Sequence, residues 1–309
     1  MSSDVKKMAL YMSAAGFAVK DENTSYILKE DDGDLIEQRF IDTNLVDEIF
    51  ITSGMKPDTA AVYVDRHDTH MIVYVTQTND LGCIQRTSPP DDNDPVWAMV
   101  PLTGIGRVAI HEKSRIAGTN SADGALVFFQ QPDGSVRSIF YDDETKEWAE
   151  SNSVPATARA AYPGTTLCVV ELEDALGVFY LTNERTVSGQ LQDYRTGEWT
   201  ESVMENSFFE GGVSKFVVIQ DGESAILHAY LRAADVLVHL DGSGKRTKLG
   251  RWNGETFIPD TSAECGLIIG IVFAVFAICV GIGMSKQDGR GSRRHRYRRR
   301  IGKGKASPR

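Results

Sequence analysis

The sequence predicts an all-β fold: a β-propeller of five recognisable four-stranded repeats, followed by one transmembrane α-helix. Three observations carry that expectation. The only four tryptophans of the 309-residue chain fall at Trp97, Trp148, Trp199 and Trp252, at intervals of 51, 51 and 53 residues. Each follows short runs rich in Val, Ile, Phe and Tyr, separated by Asp-Gly and Pro-Asp-Gly turns, which is a hairpin signature. Near the C-terminus lies one charge-free stretch long enough to cross a bilayer. A rare residue recurring at a fixed period marks a repeat architecture, and four short strands in about 50 residues is the size of a propeller blade. A β-sandwich leaves the period unexplained, and a helical solenoid needs a sustained 3.6-residue periodicity that no repeat shows.

The elements follow in order. The first repeat reads Gly16–Val19, Tyr26–Leu28, an Asp32-Gly-Asp34 turn and Leu35–Ile41, and ends near Phe50, 47 residues before Trp97, where it takes the place of the tryptophan. The second runs through Ala60–Val64 and Met71–Val75 to Trp97. The third opens at Ile116–Gly118, continues through Gly124–Gln130, Pro132-Asp-Gly134 and Ser135–Tyr141, and reaches Trp148. Leu167–Val170, Ala175–Leu181 and Thr186–Gln192 lead to Trp199, and Phe216–Ile219 opens the repeat that ends at Trp252. Residues 1–260 are expected to form the propeller. The segment Lys7–Met12 is available as one closing strand, because circular folds need a seam; the alternative is a six-bladed ring with one blade incomplete or missing from the chain start.

Cys265–Met284 is a run of 20 residues without a charge, bracketed by Glu264 and Lys286. At about 1.5 Å per residue it spans about 30 Å, the thickness of a hydrocarbon core, and it has no polar face that a soluble helix would need. Charge divides across it. Residues 285–309 hold 11 Lys or Arg and one acid, a net of +10, whereas residues 1–284 hold 22 bases and 42 acids, a net of −20. A basic, disordered tail directly after a span marks the cytoplasmic side and attracts anionic lipid headgroups. The acidic propeller is then expected outside the cell or in a lumen. A cytosolic propeller with a C-terminal tail anchor would require the +10 tail to cross the membrane, against that tendency. Tyr297 is too little aromatic interleaving for a nucleic-acid platform. Gly266, Gly270 and Ala274 recur every four residues, a face on which two spans could pair as a homodimer.

Lys6-Lys7 followed by Met8–Val19 has the basic start and apolar run of a secretory signal, yet its second half is the first strand of repeat one. Cys83 and Cys168 belong to different repeats, and Cys265 and Cys279 to the span, so neither a disulfide framework nor zinc is implied. No cofactor or metal is expected: His67-Asp-Thr-His70 with Asp65 reads as a solvated turn, and the acidic turns Glu30–Asp34 and Asp91–Asp94 lack the calcium-loop register. Asn23-Thr-Ser25 is one glycosylation sequon. No Gly-x-Ser-x-Gly, Walker or His-Glu-x-x-His motif occurs, so the chain is not read as an enzyme.

The sequence Val127-Phe-Phe-Gln130, an Asp-Gly turn, Val136–Asp142 and Glu147-Trp148 resembles the fungal fucose-specific lectins, six-bladed propellers with blades of about 50 residues; the resemblance covers residues 14–258. It implies a sugar site between neighbouring blades. There an Arg of the second strand and an acid of the third grip hydroxyls through charge-assisted hydrogen bonds, and an aromatic residue of the next blade takes the apolar face of the ring. Carried onto this chain, the aromatic position is held by Trp97, Trp148, Trp199 and Trp252. The arginine position reads tyrosine or serine in the first repeat, then Ile72, Leu126, Gly177 and Ile226, and the acid position is Glu37, then Ser138 and Gly189 in repeats three and four. One site, Glu37 with Trp97, keeps two of the three parts. The expected function is therefore non-catalytic binding of glycans or glycoproteins by a membrane-anchored propeller, without a basis for fucose specificity. The alternative is a membrane-tethered scaffold for a protein partner in which sugar binding has been lost.

Overall fold

The computed structural model describes residues 3–21, 23–66, 69–87, 95–121, 123–155, 160–220, 226–253 and 256–260. Helix α1 (Ser3–Ser13) is followed by five antiparallel sheets. Blade 1 contains β1 (Gly16–Val19), β2 (Thr24–Asp31), β3 (Asp34–Ile41) and β4 (Asn44–Ser53). Blade 2 contains β5 (Ala61–Arg66), β6 (Thr69–Val75), β7 (Leu81–Arg86) and β8 (Trp97–Val100). Blade 3 is built from β9 (Ala117–Ser121), β10 (Gly124–Gln130), β11 (Val136–Asp142) and β12 (Glu147–Ser153). Blade 4 comprises β13 (Leu167–Glu171), β14 (Ala175–Leu181), β15 (Val187–Asp193) and β16 (Trp199–Val203). Blade 5 has β17 (Lys215–Gln220), β18 (Leu227–Ala233), β19 (Val236–Leu240) and β20 (Arg246–Trp252), with β21 (Phe257–Pro259) added at its outer edge. The chain is an all-β propeller of five blades.

Each blade packs face to face with its neighbours, so the middle strands are apolar on both faces, and β10 is buried throughout. Alternate residues serve opposite neighbours. Val127 and Phe129 join the cluster shared with blade 2, while Leu126 and Phe128 join the one shared with blade 4. One apolar cluster fills each of the four junctions from blade 1 to blade 5. The turns also repeat. Asp142 Oδ1 accepts the backbone N–H groups of Glu144 and Thr145, and Asp193 Oδ1 accepts those of Arg195 and Thr196. The fifth residue of each turn, Lys146 or Gly197, has positive φ.

The inner strands touch in sequence, β1 with β5, β5 with β9, β9 with β13 and β13 with β17. The remaining junction, between blades 5 and 1, is filled by α1. The expectation of a closing strand at Lys7–Met12 is corrected here: these residues are helical. Val5, Met8, Ala9 and Met12 follow i, i+3, i+4, i+7 spacing and are all buried, packing with Val19 and Ile27 of blade 1 and with Val217, Ile219 and Tyr230 of blade 5. A strand would have sent half of them to solvent. Lys215, at the start of β17, donates its Nζ hydrogens to the carbonyls of Tyr11 and Ala14, a cation placed at the negative end of the helix.

The span at 265–284, the tail at 285–309, His67, Asp91–Asp94, Cys265 and Cys279 lie outside the described residues. Among the described residues, no helix is long and apolar enough to cross a membrane, and no group of metal-ligating side chains forms. Glu30 of the first acidic turn is engaged locally: its carboxylate accepts the N–H groups of Gly33 and Asp58.

Candidate functional site

The four tryptophans do not share one environment. Trp97, Trp148 and Trp199 stand at or next to the start of the fourth strand of their blades and face the preceding blade. Trp252 stands at the other end of its strand and belongs to the cluster around α1; its ring packs on Phe257 at 5.0 Å and under the Arg232 guanidinium at 4.5 Å. The 53-residue interval thus hides a change of register. Trp148 is buried against Tyr141, 5.2 Å between ring centroids, inside the junction of blades 2 and 3. Trp199 is half-buried over the junction of blades 3 and 4, and Trp97 is half-buried over that of blades 1 and 2. Phe50, in the first repeat, lies late in β4 opposite Ile36 and is 58% exposed.

At the junction of blades 1 and 2 the expected pair is joined by residues that periodicity does not single out. Glu37, in β3, is buried, and its Oε2 accepts a hydrogen bond from the Tyr63 hydroxyl of β5 at 2.8 Å. The Tyr63 ring lies 5.9 Å from that of His70, which lies 5.8 Å from Trp97. His70 Nδ1 is 3.0 Å from Asp65 Oδ1, and Arg86 stands directly opposite Trp97 in the β7–β8 ladder. Burial holds the Glu37 carboxyl above the ordinary carboxylate range, against the Tyr63 hydrogen bond and the charges of His70 and Arg86, which favour ionisation. Burial also raises the Tyr63 hydroxyl, helped by the Glu37 charge. The indole Nε1 of Trp97 is buried with no hydrogen-bond partner among the described residues. The cleft therefore offers a carboxylate, two basic side chains, an indole face and an indole N–H that no described residue engages.

Among the described residues, the aligned positions at the other junctions lack this chemistry. The cluster that holds Trp148 at the junction of blades 2 and 3 includes Cys83, whose thiol burial pushes up to about 12. Ser138 is buried in β11, and a side chain at Gly189 would meet the Phe179 ring at 2.4 Å, which excludes an acid from that position. At the arginine positions, Ile72 and Leu126 are packed into apolar clusters, a side chain at Gly177 would meet Phe179, and Ile226 is exposed just before β18. Tyr63, His70 and Arg86 were not legible as site residues: they lie on three different strands of the next blade, and His70 was read only as part of a solvated turn.

No family model matches the chain, and no curated protein matches it. Solved structures do. The chain is similar to AofleA from Arthrobotrys oligospora (13% identity, 78% of this chain and 72% of that one, TM-score 0.55). It is similar to the SapL1 lectin in complex with alpha methyl fucoside (15%, 87% and 85%, TM-score 0.52). It is likewise similar to the fungal lectin of Aleuria aurantia, described as a six-bladed β-propeller with a novel fucose recognition mode (17%, 82% and 83%, TM-score 0.53). At these identities the likeness establishes the fold, and what this chain shares with these fungal lectins is the β-propeller.

Proposed function

We propose that this chain is a non-catalytic carbohydrate-binding propeller, residues 1–260, held on a membrane by a single span at 265–284 with the basic tail 285–309 on the cytoplasmic side. On this reading the propeller faces the outside of the cell or a lumen, where glycans and glycoproteins are found. The observation that carries the reading is the Glu37–Tyr63–His70–Trp97 arrangement, which sets a carboxylate and an aromatic face across one junction, with Arg86 supplying a guanidinium from the third strand of the next blade. Carboxylate and guanidinium can share vicinal hydroxyls while the indole takes the C–H face of a sugar. Trp97 and Glu37 carry the site, Trp199 offers a weaker second face, and Trp148 and Trp252 serve packing. The neighbours' names as lectins support the same class. The span, the lipid contacts of the tail and pairing of spans through Gly266, Gly270 and Ala274 rest on the sequence.

The test is a glycan array probed with the full-length protein in detergent micelles. Binding to a subset of glycans, weakened at least tenfold by Trp97→Ala, is expected; no binding by the wild type, or equal binding by the variant, overturns the reading. Protease protection of the propeller in sealed vesicles tests its side of the membrane.

A second reading, a tethered scaffold for a protein partner, is favoured by the outer edge of blade 1. There β4 pairs with no strand on its outer side among the described residues and, with the end of β3, exposes Ile41, Leu45, Val46 and Phe50. Sugar-independent co-purification of one partner, lost on Phe50→Ser but not on Trp97→Ala, would favour it.

A further inference from the structure

The five inner strands surround a central cavity of about 130 Å³. Its walls are mainly apolar, formed by residues such as Phe17, Val62, Leu167 and Phe216, with Thr119 and Asn120 as polar members of β9, and the lining includes no carboxylate among the described residues. The mouth is different. The segments that lead into the inner strands bring Thr59, Arg115, Thr166 and Lys215 to one end of the channel. Arg115, just ahead of blade 3, reaches past blade 4 and donates from Nη1 to the Ser214 carbonyl of blade 5 at 2.8 Å; Thr166 Oγ1 donates to the same carbonyl at 2.9 Å. The other four N–H groups of Arg115 have no partner among the described residues, so the guanidinium presents an open fork. Lys215 donates two of its hydrogens to the end of α1 and adds its charge to the mouth. Arg232 adds positive charge near Arg115, and Asp58 opposes it. With the negative end of α1 also beside Lys215, the balance at the mouth is a small positive charge over an apolar well, on a propeller that is otherwise strongly acidic.

We propose that this channel mouth binds a small organic monocarboxylate, its carboxylate on the Arg115 fork and its apolar body in the channel. The fork matches a carboxylate with two parallel hydrogen bonds. The walls give an inorganic anion nothing to bury, and a cavity of about 150 Å³ accommodates benzene, so the body is no larger than about one six-membered ring. Tyr63 lines both this channel and the blade 1–2 cleft, but Arg115 at the mouth belongs to neither blade of that cleft, and the proposal does not rest on the carbohydrate reading.

Titration of the full-length protein with benzoate tests it, with benzamide, acetate and inorganic phosphate as comparisons. Saturable benzoate binding is expected, with each comparison at least tenfold weaker. Arg115→Gln should weaken benzoate at least tenfold while the melting temperature stays within about 2 °C of wild type, and Ala117→Leu, which fills the channel but leaves the cations, should abolish it. No saturable benzoate binding overturns the proposal. So does benzamide binding as tightly, since the charge would then be unused, or acetate or phosphate binding as tightly, since the apolar well would be. Unchanged affinity in Arg115→Gln places the ligand elsewhere. Loss of benzoate on Trp97→Ala would assign it to the blade 1–2 cleft and likewise end the proposal.

Discussion

Between blades 1 and 2, Trp97 is half-buried and is linked through His70 and Tyr63 to a buried carboxylate; between blades 2 and 3, Trp148 is buried in an apolar cluster that includes Cys83. Both residues open the fourth strand and both look toward the preceding blade, so strand position does not separate them. The connections do. Residues 54–60 link blade 1 to blade 2 directly, whereas 101–116 link blade 2 to blade 3 through a longer loop. That loop folds over Trp148: the Thr103 carbonyl accepts the Trp148 N–H at 2.7 Å, and Gly104 approaches so closely that a side chain there would meet the Trp148 carbonyl at 2.3 Å. A cleft keeps a usable aromatic face where the linker is too short to cover it.

Four measurements can break or sharpen this contrast. The largest effect is expected for Trp148→Ala, a fully buried ring whose loss should cost about 3–5 kcal/mol in chemical denaturation and leave glycan binding intact in whatever fraction remains folded. Trp97→Ala should cost only about 1–2 kcal/mol, because part of its ring is already in water, while removing ligand binding. Equal stability losses in the two variants would dissolve the distinction.

Next comes Tyr63→Phe, which leaves the buried Glu37 carboxylate without its donor and should cost about 1–3 kcal/mol. In a double-mutant cycle with Glu37→Gln, that loss should shrink, since an amide is cheaper to leave unpaired than a carboxylate. Additive losses would mean that the two side chains do not interact.

The smallest effect concerns pH. Burial raises the pKa of folded Glu37 above its unfolded value, so the folded state holds the proton longer. Stability from this group is therefore full below the unfolded pKa, declines as pH rises toward the folded pKa, and stays lower above it. Glu37→Gln removes the titration, so its melting temperature should gain on wild type as pH rises from below the ordinary carboxylate range to neutral. A difference that does not change with pH would contradict the burial of a titrating carboxylate.

Much of the architecture was legible because blade packing repeats. A strand squeezed between two neighbours must be apolar on both faces, and a tight turn must carry Asp or Gly, so Gly124–Gln130 and Asp142–Lys146 announce themselves. Phe50 and Trp252 show the limit: the interval counts residues, and a change in turn length moves an aromatic to the far end of its strand without disturbing the count. The helix at the seam had its own signal in Val5, Met8, Ala9 and Met12, but the demand for a closing strand obscured it.

By itself, the sequence determined the five repeats, most strands within them and Glu37 with Trp97 as the one conjunction of acid and aromatic, because these depend on local periodicity and on residue type; that the ring closes with five blades was decided by the tertiary structure. Only the tertiary structure decided which tryptophans face solvent, that a helix fills the last junction, and that Tyr63, His70 and Arg86 gather around Glu37. Those outcomes depend on how linkers fold over clefts and how neighbouring blades meet, and such contacts join residues tens of positions apart that no local pattern connects.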